Sequence, residues 1–139
     1  MKNGILTRFN PARVFAFGTL SAAVAVGLGA FGAHALRSVL NPHELLTYET
    51  AVRYQMYHAL ALMAAGLGAR FWAPETPRNF VFAAWCFAIG TMLFSGSLYV
   101  LSLSGALWLA YLTPVGGILF LAGWIFLFTA VLKDCRTVS

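Results

Sequence analysis

The sequence predicts an all-α membrane protein with four transmembrane helices packed as a bundle and with both the N- and C-termini in the cytoplasm. Its composition indicates this class, because 60% of the 139 residues are hydrophobic and only 9% are charged, whereas a soluble domain normally carries about a quarter charged residues. The charges cluster at the ends of long apolar segments instead of forming a basic face, so the net charge of +5 does not indicate nucleic-acid binding. We expect one integral membrane domain over residues 1–139.

The first apolar segment predicts a helix over residues 14–36, which is long enough to cross about 30 Å of hydrocarbon at about 1.5 Å per residue. A cleaved signal peptide is the alternative, because Ala33-His34-Ala35 is similar to a cleavage site, but the apolar run exceeds the usual signal core of about 7–15 residues. Small residues recur every four positions in this segment, at Ser21, Ala25, Gly29 and Ala33. Such a stripe allows another helix to approach closely, either within the chain or from a second copy.

The second helix is predicted over residues 42–71. Asn41 is a favourable N-cap, Pro42 suits the first helical position, and Glu44 lies three residues after the cap, as in a capping box. A helix of this length spans about 45 Å, which is more than the hydrocarbon requires. We therefore expect its first turns to lie in the headgroup region.

Two further helices are predicted over residues 79–103 and 107–132. A turn with two prolines precedes the first of them, and Ser104-Gly105 is typical of a tight turn between the two. Pro114 predicts a kink in the last helix, because proline lacks the backbone N–H that an α-helix uses.

The distribution of basic residues predicts the orientation. Seven of them lie on one side of a four-span arrangement: Lys2, Arg8, Arg13, Arg70, Arg78, Lys133 and Arg136. The connections on the other side contain only Arg37. The positive-inside rule then places both termini in the cytoplasm.

Polar side chains recur in the outer halves of all four predicted helices, where they are costly against lipid. We expect them to form a ligand-binding cluster inside the helix bundle, and the candidate residues are His34, Arg53, Tyr54, Gln55, His58, Ser95 and Ser97. Helical spacing predicts hydrogen bonds from Gln55 or His58 to the first or third helix. Taken singly, each residue also fits a structural role: a packed histidine, a serine bonded to its own helix, or an arginine that extends to the outer water.

The sequence shows no established catalytic or metal-binding motif. Residues 27–32 match the GxGxxG pattern but have no preceding strand and lie within an apolar segment, so we do not interpret them as a nucleotide site. Cys86 and Cys135 are expected to be free thiols. Axial haem ligation by His34 and His58 is a weaker alternative, since no further ligand spacing supports it. We expect no metal and no cofactor.

Several of these stretches resemble a known family. They are GAFGAHAL at 29–36, YQMYHALAL at 54–62, FSGSLY at 94–99, TPVGG at 113–117 and GW at 123–124. In this order they resemble the YgdD/YwdK-like family of small bacterial inner-membrane proteins, also called domain of unknown function 423. The resemblance implies four transmembrane helices and a location in the bacterial plasma membrane, and it implies no activity or substrate.

We predict a non-enzymatic, multi-pass protein of the inner membrane. Its polar cluster would bind a small polar ligand, a lipid headgroup or a partner subunit. The alternatives are a small transporter or channel component that acts as an oligomer, and a membrane enzyme that lacks a recognisable nucleophile–base or paired-carboxylate signature. The expected partners are the lipid bilayer and either a second copy of the chain or another membrane protein, and no nucleic acid.

Overall fold

The computed structural model describes residues 10–72 and 78–135, and within them the chain forms four long α-helices. They are α1 (Pro11–His34), α2 (Pro42–Phe71), α3 (Arg78–Ser104) and α4 (Leu112–Cys135). Short 3-10 segments at Leu36–Ser38 and Leu107–Tyr111 lie in two of the connections. The all-α class is therefore confirmed. The predicted two-proline turn, apart from Arg78, lies outside the described residues, and so do Lys2, Arg8 and Arg136.

Both helix starts in the N-terminal half are fixed by asparagine caps. The Asn41 side chain accepts hydrogen bonds from the backbone N–H groups of His43 and Glu44, and the Glu44 carboxylate accepts one from the Asn41 N–H at 2.9 Å. The predicted capping box is confirmed. Asn10 caps α1 in a similar way, with Pro11 at the first helical position, so α1 begins three residues earlier than its apolar run indicated.

The predicted kink at Pro114 is wrong, because α4 begins only at Leu112 and Pro114 lies in its first turn. The N–H groups of a first turn have no partner within the helix, so proline removes nothing there. The residues before it, Leu107–Tyr111, form a 3-10 segment instead of an α-helical turn. The turn before that segment is confirmed at Gly105, whose φ of +69° is a conformation that glycine adopts without steric cost.

Each helix packs antiparallel to the next one along the chain. Gly18 of α1 meets Met63 of α2 while Gly32 meets Tyr48, so residue numbers run in opposite directions along this interface. The same holds for α3 and α4, where Ser97 contacts Thr113 near one end and Asn79 contacts Thr129 near the other. The packing order α1–α2–α3–α4 gives α2 a neighbour on either side.

The helix with the lowest hydropathy, α2, has the most buried residues among α1, α2 and α3. Three helical stretches among the described residues are long and apolar enough to cross a membrane: Pro11–Ser38, Arg78–Ser104 and Leu107–Leu132. The helix absent from this set is α2, which nevertheless has eleven buried residues against three in α1. Because α2 is covered by α1 and α3, its polar residues Gln55 and His58 are buried between helices.

The stripe of small residues on α1 differs in part from the prediction. Ala25 is fully buried and Ser21 and Gly29 are half-buried, but Ala33 is exposed, so the predicted stripe is wrong at that position. The reason is helical geometry: each step of four residues turns about 40° more than one full turn at 3.6 residues per turn. The buried face of α1 instead follows a spacing of seven, through Gly18, Ala25 and Gly32.

Candidate functional site

Gln55 connects three helices at the centre of the structure. Its Nε2 donates to the backbone carbonyl of Ser21 in α1 at 3.1 Å, and its Oε1 accepts a hydrogen bond from the Tyr99 hydroxyl in α3 at 2.9 Å. The side chain is buried, with 7% of its surface exposed. The expected hydrogen bonds from this face of α2 to the first and third helices are therefore confirmed, and both ends of the amide have a partner.

His58 lies one turn further along α2 and is also buried. Its Nδ1 is 2.8 Å from the carbonyl oxygen of Tyr54, which can only accept, so Nδ1 carries the proton. The indole N–H of Trp124 in α4 points at Nε2 over a long 3.4 Å, and this contact requires Nε2 to be an acceptor. The Phe120 ring stacks on the imidazole with 3.3 Å between centroids. Both ring nitrogens are thus engaged within the protein.

His34 and Arg53 do not join this cluster. His34 ends α1, thirteen residues from Ser21, which is about 20 Å along the helix. Both side chains are exposed. Arg53 behaves as expected for a side chain that extends from α2, whereas the expectation that His34 lies at the depth of Gln55 and His58 is wrong. Tyr54 lies at the edge of the cluster, 39% exposed, with its ring stacked on Phe94 at 4.4 Å.

The predicted serines of α3 are both buried, but they differ in their hydrogen bonds. The Ser97 hydroxyl is 3.0 Å from the Thr113 hydroxyl of α4 and 2.9 Å from the carbonyl of Phe94. Ser95 is 1% exposed, and its hydroxyl has no hydrogen-bond partner within residues 10–72 and 78–135. The predicted residues therefore form two polar groups, one centred on Gln55 and His58 and one at Ser97.

The two polar groups also lie at different positions along the helices, whereas the sequence predicted that they would share one level in the outer halves of the helices. Gln55 is bonded to Ser21, which lies ten residues after the start of α1 and thirteen before its end, so this contact is near the middle of the helices. Ser97 and Thr113 lie near the ends of α3 and α4. The early start of α2 explains the shift, because Gln55 lies thirteen residues after Pro42, which is about 20 Å along the helix.

A groove of about 970 Å³ lies between α1 and α3, and α2 forms its floor. Gln55 and His58 lie on this floor, and the walls are mostly apolar, with Phe17 and Leu28 on α1 and Trp85 on α3. The groove extends from Arg13, near the start of α1, to Tyr99 and Leu28. It combines one open, elongated, apolar space with a polar band near its middle, where Gln55 and His58 already have hydrogen-bond partners.

The interface of α1 and α2 is closed beside this groove. A Cβ atom at Gly66 would lie 2.9 Å from both the backbone nitrogen of Phe15 and the carbonyl oxygen of Pro11. Main-chain atoms of the two helices therefore touch there, and no path for water or ions runs between them at this level.

Two side chains of the polar band were not among the predicted site residues. Tyr99 supplies the hydroxyl that bonds Gln55, and Trp124 supplies the N–H opposite His58. The signal for Tyr99 is its position four residues after Ser95, on the same face of α3. Trp124 carries no comparable signal, because a tryptophan in an apolar helix is equally typical of the membrane interface.

The described residues contain no group of three or more His, Cys, Asp or Glu side chains placed to hold a metal ion. Within hydrogen-bonding distance of His58 lie the Tyr54 carbonyl and the Trp124 indole, and neither is a nucleophile. The site is therefore suited to holding helices together and to receiving an apolar group.

Comparisons with known proteins agree with the resemblance seen in the sequence. Residues 28–117 match the model of a family described as "Protein of unknown function (DUF423)". A UPF0382 membrane protein of Staphylococcus aureus is 45% identical over 116 residues, covering 84% of this chain and 92% of that protein. The UPF0382 membrane protein YwdK of Bacillus subtilis is 40% identical over 118 residues, covering 84% and 93%. No solved structure matches the chain.

Proposed function

Because the chain belongs to the DUF423 family, whose relatives are membrane proteins of bacteria, we propose that it is a non-enzymatic lipid-binding protein of the inner membrane. In this proposal all four helices span the bilayer, and the groove between α1 and α3 receives the hydrocarbon chain of a membrane lipid. The observation that carries the proposal is the elongated apolar groove with its polar floor.

The shape and chemistry of the groove favour an apolar chain over a small polar ligand. Its volume of about 970 Å³ is at the upper end of the range for ligand pockets, which is about 300–1,000 Å³. The polar atoms of Gln55 and both ring nitrogens of His58 already have partners within the protein. A small polar ligand would find only the second Nε2 hydrogen and the second Oε1 lone pair of Gln55 free, whereas a hydrocarbon chain can lie over the existing contacts and leave them intact.

Four membrane spans are supported by the packing of α2. This helix lies antiparallel between α1 and α3, both of which are apolar enough to cross a membrane. Its 30 residues extend about 45 Å, so a helix packed along its neighbours would traverse the same depth. The low hydropathy of α2 does not oppose this arrangement, because Gln55 and His58, the polar residues near its middle, are covered by protein.

The proposal is tested by filling the groove at a glycine. Gly96 lines the groove, and a Cβ atom built there meets nothing within 4 Å. We expect Gly96→Phe to place its ring in the groove and to reduce photocrosslinking of a phospholipid that carries a diazirine in its acyl chain by at least severalfold. The labelled residues, mapped by mass spectrometry, should lie on the groove walls in the wild type.

Gly27→Phe is the matched control, because Gly27 also has nothing within 4 Å of a built Cβ but does not line the groove. It should leave the labelling unchanged. Equal labelling of the wild type and both variants would contradict the proposal. Thermal unfolding in detergent separates loss of binding from loss of the fold, since only a folded Gly96→Phe variant counts as a result.

A further inference from the structure

At the end of the groove nearest the start of α1, one arginine lies on α1 and a second lies at the start of α3. Arg13 of α1 lines the groove near its start. Arg78 begins α3 and lies three residues before Val81 and seven before Trp85, both of which line the groove, so it shares their face of the helix. Both arginine side chains are exposed. Two permanently charged guanidinium groups, each with several planar donors, thus flank the same opening.

The described charged side chains at this end of the molecule are positive. Arg13, Arg70 and Arg78 lie at the start of α1, the end of α2 and the start of α3, and all three are exposed. Glu44 and Glu49, the acidic residues whose side chains the structure describes, lie in the first turns of α2, at the opposite end of the helices. The opening therefore complements an anion, and the groove behind it complements a hydrocarbon chain.

The dimensions agree with one leaflet of a bilayer. Arg13 and Ser21 are eight residues apart, which is about 12 Å along α1, and Ser21 is the level of the Gln55 hydrogen bond. Half of a hydrocarbon core is about 15 Å thick. A phosphate held at Arg13 would thus lie near the membrane surface while its acyl chain passes Phe17 and reaches Gln55 near the midplane.

From this geometry we infer that the groove binds an anionic phospholipid of the leaflet on the side of the α1 N-terminus. Arg13 and Arg78 hold its phosphate through charge-assisted hydrogen bonds, and one acyl chain lies along the floor formed by α2. This inference rests on the proposed lipid binding and adds to it the class of lipid and the direction in which the lipid enters.

The test is the effect of two lipids on the unfolding temperature in detergent. Dioleoylphosphatidylglycerol and dioleoylphosphatidylcholine have the same chains and differ in headgroup charge. The wild type should need at least about fivefold less of the anionic lipid for half of the maximal stabilisation, because one basic residue at a membrane surface contributes about that factor. Arg13→Gln with Arg78→Gln should abolish the preference and retain binding of both lipids.

Arg37→Gln is the control for position, since it removes a positive charge from an exposed residue near the other end of α1. It should keep the preference for the anionic lipid. Equal binding of the two lipids by the wild type, a preference that survives in the double variant, or the same loss in Arg37→Gln would overturn the inference. These outcomes would contradict the inferred class of lipid and not the proposed binding of lipid in the groove. Failure of the proposed function would instead appear as an unchanged response to both lipids in Gly96→Phe.

Discussion

At the scale of single residues, Gln55 shows why a polar side chain is retained in an apolar segment. An amide without partners is costly in a membrane interior, but here Ser21 and Tyr99 satisfy both of its ends. Since the two partners belong to α1 and α3, the side chain fixes the relative position of three helices. The Gln55 side chain thus contributes to the specificity of helix packing as well as to the free energy of packing.

Replacement of this amide should weaken the fold measurably. We expect Gln55→Met, which keeps the length of the side chain, to lower the free energy of unfolding by about 0.6–2 kcal/mol, the range for hydrogen bonds between membrane helices. Tyr99→Phe should also destabilise the wild type but have little further effect in the Gln55→Met background, because its partner is already absent. Unfolding by titration with sodium dodecyl sulfate measures all three variants. Fully additive effects would show that the Tyr99–Gln55 bond contributes nothing.

The sequence predicted Gln55 and His58 as inward-facing but not their partners. The prediction succeeded because glutamine and histidine in an apolar run are costly against lipid, which is a local property of the chain. It could not identify Trp124 opposite His58, because that pairing depends on the register between α2 and α4. His34 was misplaced because the ends of the helices do not show which residue of α1 faces Gln55, and that residue is Ser21, thirteen positions before His34.

At the scale of helices, α1 and α2 owe their close contact to a few positions without side chains. A Cβ atom at Gly18 would lie 2.8 Å from the carbonyl oxygen of Ala59 and 2.6 Å from the Met63 side chain. The backbone at Ala59 belongs to a continuous helix and cannot yield locally. Gly27, nine residues later on the same helix, has free space around it.

Gly18→Ala and Gly27→Ala should therefore change the stability of the protein in opposite directions. In a helix interior alanine is favoured over glycine by about 1 kcal/mol, so Gly27→Ala should leave stability unchanged or raise it slightly. Gly18→Ala gains the same preference but forces α1 away from α2, and overpacking typically costs about 1–3 kcal/mol, so it should lower the unfolding temperature. Thermal unfolding of the two variants in one detergent gives the comparison. Equal stabilisation by both would mean that the Gly18 contact is not tight.

Helix boundaries were predictable where capping is local and less so where packing decides. Asn41 and Glu44 predicted the first residue of α2 correctly, because a capping box depends only on neighbours in sequence. The 3-10 segment at Leu107–Tyr111 was not predicted, because its residues are apolar and the predicted fourth helix therefore included them. Pro114 marked this boundary, but as the first turn of α4 and not as a kink within it.

At the scale of the whole molecule, the number of spans determines where the C-terminus lies. Within the described residues, three helical stretches are apolar enough to cross a membrane, and α2, which packs between α1 and α3, is not one of them. With the N-terminus in the cytoplasm, three spans would place the C-terminus in the periplasm, and four would return it to the cytoplasm. The side of the C-terminus is therefore a direct test of whether α2 crosses the bilayer.

A green fluorescent protein fused after Ser139 should fluoresce in a bacterial host, and alkaline phosphatase fused there should be inactive, because both report a cytoplasmic C-terminus. The physical reason is the distribution of basic residues, with seven on the side of the termini and only Arg37 in the connections on the other side. Fusions after Val39, an exposed residue between α1 and α2, serve as the control and should give the opposite pair of signals. Active alkaline phosphatase after Ser139 would mean an odd number of spans, and the polar residues of α2 would then lie outside the hydrocarbon.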